Sequence, residues 1–103
     1  MPIKARCGRA EDLPPGSSKV VQIGEHVVAI FNIDGVLHAI DNTCPHQGGP
    51  LGEGYLEDNA VVSCPWHGWT FDVRTGVSPI DAEMKVACYA VRIDSGEIIV
   101  ELP

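Results

Sequence analysis

The chain has 103 residues, with 14 acidic and seven basic side chains and a formal net charge of −7. This length corresponds to one domain, and the negative charge argues against binding to nucleic acid or to an anionic membrane surface. No apolar run approaches the roughly 18 residues of a membrane-spanning helix, and residues 1–6 lack the apolar segment of a secretory signal. We therefore expect a cytoplasmic protein.

The sequence alternates between short apolar stretches and turn signals. Gly24-Glu25 and Asp34-Gly35 are two-residue hairpin signals, and Asp-Gly is the stronger of the two. Residues 11–13 suggest one helical turn, but the sequence shows no amphipathic helix of normal length. The pattern predicts strands at residues 3–7, 19–23, 26–33, 36–41, 60–63, 69–73, 86–93 and 97–102.

Strands that recur every 8–12 residues predict an all-β fold, an antiparallel β-sandwich or a partly open barrel. Residues 27–31 are apolar at every position, so we expect this strand to be central. A stretch rich in Gly, Pro, Cys and His interrupts the middle of the chain. We therefore predict one domain, 1–103, in which a subdomain of about residues 42–80 is inserted into a body formed by 1–41 and 81–103, with the terminal strands paired in the body.

Two short pairs of cysteine and histidine lie in the inserted stretch. The first is Cys44-x-His46, and the second, 17 residues later, is Cys64-x2-His67. Thiolate and imidazole together suit zinc or iron–sulfur iron far better than calcium or magnesium. A structural Cys2His2 zinc site fits the same ligand list, although zinc sites usually group cysteine with cysteine and histidine with histidine. The sequence thus predicts two loops that close on one metal centre.

The pattern C-x-H-x17-C-x2-H resembles the Rieske [2Fe–2S] motif. The approach at residues 41–43 and the run at 68–72, Gly-Trp-Thr-Phe-Asp, are also similar to Rieske-type ferredoxins. This resemblance implies a Rieske-like fold with an inserted cluster-binding subdomain and one [2Fe–2S] cluster per chain. It implies that Cys44 and Cys64 bind one iron and that His46 and His67 bind the other, with the imidazole edges exposed.

The resemblance also bears on the reduction potential. Relatives with a high potential carry an extra cysteine in each loop and hydroxyl side chains two and four residues after the second histidine. This chain lacks the extra pair, and the two positions hold Trp69 and Phe71, which we expect to be packing residues. Fewer hydrogen-bond donors to sulfur favour a lower potential. We predict a potential at the low end of the Rieske range, which runs from about −150 to +300 mV.

The function implied by the resemblance is that of a soluble one-electron carrier between a reductase and a terminal oxygenase. Such a protein is a monomer and an electron-transfer component, not itself an enzyme. The alternative is the Rieske-like small subunit of an assimilatory nitrite reductase. A third hypothesis is a zinc-stabilised interaction module, which would not be an electron-transfer protein.

The remaining reactive residues have plainer interpretations. We interpret Cys7 and Cys88 as semi-buried structural side chains, because free cysteine is usually buried. His26 and His38 lie in predicted strands without a partner motif, so we interpret them as surface or core histidines.

Between residues 42 and 80 the only base is Arg74, among four acids. This surface would suit a basic partner, or it is ordinary solubilising charge.

Overall fold

The computed structural model describes residues 3–43, 50–57, 60–64, 69–81 and 83–102. Two short 3-10 helices, Ala10–Asp12 and Leu51–Glu53, and nine strands occur in these ranges. None of these helices is long and apolar enough to cross a membrane. The strands are β1 (Ile3–Arg9), β2 (Ser18–Ile23), β3 (His26–Ile33), β4 (Val36–Asp41), β5 (Tyr55–Glu57), β6 (Val61–Ser63), β7 (Thr70–Asp72), β8 (Cys88–Asp94) and β9 (Glu97–Leu102).

Six of the strands form one antiparallel sheet in the order β1-β9-β8-β4-β3-β2. β1 pairs with β9, with Ile3 opposite Leu102, which confirms the predicted pairing of the terminal strands. The two edge strands are linked by a side chain, because Lys19 Nζ on β2 donates to the carbonyl oxygen of Cys7 on β1 at 2.6 Å. The sheet is therefore a nearly closed barrel, which agrees with the all-β prediction.

A second sheet of three short strands, in the order β5-β6-β7, packs against the outside of the barrel. Strand β3 contributes side chains both to the barrel core and to the contact between the barrel and the small sheet. Val28 and Ile30 point into the barrel core, whereas Ala29 and Phe31 belong to a second core shared with the small sheet. This double burial is the reason that residues 27–31 are apolar at every position. The prediction that the strand is central is confirmed, since β3 lies between β4 and β2.

Three features of the fold were not foreseen. β8 begins at Cys88 and not at residue 86, and both β5 and the helix Leu51–Glu53 were missed. Each missed element has only three residues, too few to show a period. β5 is stabilised by a short hairpin with β6, whereas Leu51 is fully buried in the second core, which includes residues distant in the sequence such as Phe31.

The two cysteines outside the motif have different environments. Cys7 is 5% exposed in the barrel core, as predicted. The prediction for Cys88 is wrong, because this residue is exposed. Successive side chains along β8 point to opposite faces of the sheet. Tyr89 and Val91 pack against the barrel core, so Cys88 lies on the other face. Its thiol faces the backbone at Gly76 instead of filling a core.

Candidate metal centre

The structure describes one of the four predicted ligands. Cys64 is 3% exposed and directly follows β6. Cys44, His46 and His67 lie outside the described residues. The described part of the site consists of Cys64 and the residues that flank the two loops, 44–49 and 65–68.

The base of the second loop is closed by a backbone hydrogen bond. The Cys64 N–H donates to the carbonyl oxygen of Trp69 at 2.6 Å, one step beyond the last paired residues of β6 and β7, Ser63 and Thr70. The two strands form a hairpin whose connection carries residues 65–68. Cys64 is thereby fixed at the point where the loop leaves the sheet.

The base of the first loop is held by Asn42, which is 8% exposed. Its carbonyl oxygen accepts from Leu51 N–H and its side-chain Oδ1 accepts from Gly52 N–H, both at 2.7 Å. Thr43 and Pro50 form a β-bridge at the same place. The described residues on both sides of 44–49 are thus held together, a role for Asn42 that was not predicted from the sequence.

The two loop bases are joined through the small sheet and one core. Leu51 and Cys64 belong to the same second core, together with the fully buried Phe71. Gly54 lies so close to Ser63 that a Cβ at residue 54 would overlap the Ser63 carbonyl oxygen. Trp69 also packs against this core. The predicted packing roles of Trp69 and Phe71 are therefore confirmed.

The described residues fit a metal-bound cysteine at position 64. Its side chain lies among apolar neighbours where the second loop leaves the sheet, and a cysteine in this place could serve as an iron ligand. Among the described residues, no three His, Cys, Asp or Glu side chains are grouped so that they could hold a metal ion elsewhere. The donor set that the sequence offers, two thiolates and two imidazoles, suits a [2Fe–2S] cluster.

A second group of ionisable side chains lies between β4, β7 and β8. His38, Arg74, Cys88 and Tyr89 line a cavity of about 210 Å³. Asp72 accepts from Arg74 Nη2 at 2.8 Å and from Nε at 3.1 Å, and this hydrogen bonding lowers the pKa of the carboxyl. Burial and the Arg74 charge lower the pKa of His38. Burial and the Asp72 charge raise the pKa of Cys88. The raised pKa keeps the Cys88 thiol protonated, so this cysteine is not activated as a nucleophile.

His26 is an exposed residue at the start of β3. It packs edge-on against Tyr89, with ring centroids 6.1 Å apart and planes inclined at 75°. Burial and the nearby Asp41 charge raise the pKa of Tyr89, so its phenol stays protonated at neutral pH. The contact is a packing interaction between β3 and β8.

Comparison with known proteins identifies the chain. Residues 4–90 match the Rieske [2Fe-2S] domain. The 3-phenylpropionate/cinnamic acid dioxygenase ferredoxin subunit of Escherichia coli K12 is 36% identical over 93 residues, which cover 89% of this chain and 87% of that protein.

Two solved structures share the fold. A chain in the complex of reduced oxygenase and oxidized ferredoxin in carbazole 1,9a-dioxygenase is 30% identical, with a TM-score of 0.87, and the match covers 95% of this chain and 92% of that one. The putative NADH-dependent nitrite reductase small subunit from Mycobacterium tuberculosis has a TM-score of 0.91 at 24% identity, covering 100% and 97% of the two chains. The chain therefore belongs to the Rieske [2Fe–2S] domain family, whose cofactor is one [2Fe–2S] cluster.

Proposed function

We propose that the protein is a one-electron carrier that accepts an electron from a reductase and delivers it to a terminal oxygenase. The observation that carries this proposal is the 36% identity, over 89% of the chain, to a dioxygenase ferredoxin subunit. The match also covers 87% of that subunit. The protein is an electron-transfer component and not itself an enzyme.

Four residues would hold the cluster. Cys44 and Cys64 would bind one iron, and His46 and His67 would bind the other, within an inserted subdomain of about residues 42–80. The bound cluster supplies a site that accepts and releases one electron. The polypeptide holds Cys64 in place through the bond to the Trp69 carbonyl.

The surroundings of Cys64 favour a low reduction potential. Phe71, two residues from Trp69 along the second strand of the hairpin, is fully buried in the core beside Cys64. A phenyl ring cannot donate a hydrogen bond to sulfur, whereas a hydroxyl could. Fewer donors leave the extra electron of the reduced cluster less stabilised. We expect a midpoint near the low end of the Rieske range, about −150 mV.

The decisive experiment combines metal analysis, visible spectroscopy and EPR of the purified protein. We expect two irons and two acid-labile sulfides per chain, a rhombic EPR signal on reduction, and a low midpoint in a redox titration. One zinc per colourless chain would instead establish the zinc-stabilised module. A midpoint well above 0 mV would retain the cluster but contradict the argument from Phe71.

Matched cysteine variants test the ligand assignment. We expect Cys64→Ser to remove most of the visible absorbance per chain, since it deletes a buried thiolate ligand. Cys88→Ser is the control, because Cys88 is an exposed thiol outside the motif, and it should keep full absorbance. Equal iron content in the two variants would refute the assignment of Cys64.

The partners and the cellular setting complete the proposal. The carrier would act as a monomer in the cytoplasm and dock transiently on its reductase and oxygenase. Free thiols at Cys7 and Cys88 suit a reducing compartment. Transient electron-transfer contacts are small, below about 1,200 Å², so gel filtration should show monomers.

The small subunit of a nitrite reductase is the second candidate, and the structural match to such a subunit favours it at the level of fold alone. A permanent subunit should present a sizeable apolar patch. The large apolar side chains exposed among the described residues are distributed over four strands and one loop; they are Ile3, Val20, Val36, Ile80 and Ile93. Stable co-purification with a sirohaem protein would establish this candidate in place of the free carrier.

A further inference from the structure

Between β7 and β8 the described residues 77–81 and 83–85 form a short hydrogen-bonded loop. Val77 and Lys85 form a β-bridge at its root. Above the bridge, the Ser78 N–H donates to the Met84 carbonyl oxygen, and the Met84 N–H donates to the Asp81 carbonyl oxygen, both at 2.9 Å. The described residues of this loop therefore have a defined backbone conformation.

The tip of the loop presents an isoleucine to solvent. Ile80 is 70% exposed, the highest value among the exposed large apolar residues that the structure describes, and the other four lie in strands. Its N–H donates to Ser78 Oγ at 3.2 Å, and Ser78 is only 2% exposed. A buried serine thus holds the backbone that displays Ile80. Contact with another molecule would remove this prearranged apolar side chain from water, which is favourable.

The charges beside Ile80 restrict what that molecule can be. Asp81 and Glu83 are both exposed, and the Asp81 carboxylate accepts from the Glu83 backbone N–H at 3.0 Å. Lys85 stands at the root of the loop and not at its tip. An apolar side chain flanked by two carboxylates complements an apolar contact rimmed by lysine or arginine.

The root of the loop connects this tip to the candidate metal centre. Met84 packs against the second core, which contains Cys64 and Phe71. The loop and the cysteine ligand are therefore supported by the same packed side chains. A partner that contacts Ile80 would be held on the part of the protein that carries the cluster.

We propose that Ile80, flanked by Asp81 and Glu83, is the apolar anchor of a docking surface for a redox partner whose contact patch is apolar and rimmed with lysine or arginine. This inference rests on the proposed function, because it takes the partner to be an electron donor or acceptor. In protein interfaces a few side chains contribute most of the binding energy, so the proposal can be tested at a single residue. The flanking carboxylates would steer the encounter and set its dependence on salt.

The test measures electron transfer from the reduced protein to cytochrome c, a basic haem protein, by stopped-flow spectroscopy. One electron passes from the reduced cluster to the ferric haem, which becomes ferrous. We expect Ile80→Ala to lower the second-order rate constant about fivefold to tenfold. Ile93→Ala, at an apolar side chain that is 49% exposed on β8, should leave it unchanged. The double variant Asp81→Asn, Glu83→Gln should flatten the dependence of the rate on ionic strength.

Ferricyanide distinguishes a defect in docking from a defect in the cluster, because this small oxidant needs no docking surface. Ile80→Ala should be oxidised by ferricyanide at the wild-type rate. If wild type reduces both oxidants and Ile80→Ala behaves like Ile93→Ala with cytochrome c, the docking proposal is overturned and the carrier function stands. If wild type has no reducible cluster, the proposed function fails and the docking proposal fails with it.

Discussion

Gly54 provides the sharpest test of how the fold positions the candidate metal centre. Its backbone angles, φ −78° and ψ −180°, are open to any residue, so alanine introduces no backbone strain there. A Cβ would, however, overlap the carbonyl oxygen of Ser63 and approach the Leu51 carbonyl oxygen to 3.2 Å. Both neighbours are backbone atoms, and they cannot move aside as a flexible side chain could. Gly54→Ala must therefore separate β5 from β6 just before Cys64.

The size of the effect follows from the bonds that this separation breaks. Relief of the overlap requires a shift of about 1 Å, which would weaken the backbone pairing of Tyr55 with Ser63. A buried backbone group left without a partner is unfavourable by about 1–3 kcal/mol. With one or two such groups and some loss of packing, we expect unfolding free energy to fall by about 2–4 kcal/mol. We also expect less cluster absorbance per chain, because the carbonyl that moves belongs to the residue before Cys64.

Urea unfolding followed by circular dichroism measures the first effect, and visible absorbance divided by chain concentration measures the second. Gly24→Ala is the matched control, since Gly24 has φ +61° but open space around it. It should lose only about 1 kcal/mol, from backbone strain, and keep its full cluster content. An unfolding free energy for Gly54→Ala within about 0.5 kcal/mol of wild type would refute the reasoning.

Two further predictions concern the barrel and its interface with the small sheet. Lys19→Met removes the charged donor to the Cys7 carbonyl, so we expect a loss of about 1–3 kcal/mol in urea unfolding, whereas Lys4→Met should change little. Burial and Arg74 lower the pKa of folded His38, so the unfolded chain binds the proton first as the pH falls below about 6.5. Stability should therefore decline until the pH passes below the folded pKa. His38→Gln should flatten this decline between pH 7 and 5, by at most about 1.4 kcal/mol per pH unit, and an unchanged slope in urea titrations would contradict it.

The parts of the fold that were predictable depend on residues near each other in the sequence. Asp34-Gly35 encodes its hairpin locally, and the structure places Asp34 at φ +52° and Gly35 at φ +92° in that turn. The bounds of β3 and β4 were accordingly predicted to the residue. The apolar run at 27–31 predicted burial on both faces, because no other position in a sheet tolerates five consecutive apolar residues.

The unpredicted parts were either too short to show a pattern or depended on contacts outside the local sequence. β5 forms a local hairpin with β6, in which Glu57 lies opposite Val61, but its three residues are too few to show a period. Cys88 was misjudged because the burial habit of cysteine was applied without knowing which face of β8 is covered. Asn42 accepts hydrogen bonds from the N–H groups of residues nine and ten positions later, through its backbone carbonyl and its side-chain Oδ1 respectively, and no local pattern discloses these partners.

The contacts at the bases of the two loops explain how a small domain can hold a redox centre in loops. An electron carrier works best when its centre changes little between oxidation states, so the ligands must be held by structure that does not depend on the loops themselves. Asn42 closes the first loop and the bond from Cys64 to Trp69 closes the second, and both closures lie outside the loop residues. The shared core of Leu51, Cys64 and Phe71 then fixes the two closures relative to each other. On this argument, the strength of the loop bases matters for the cluster more than the stability of the barrel. Gly54→Ala and Lys19→Met separate these two contributions.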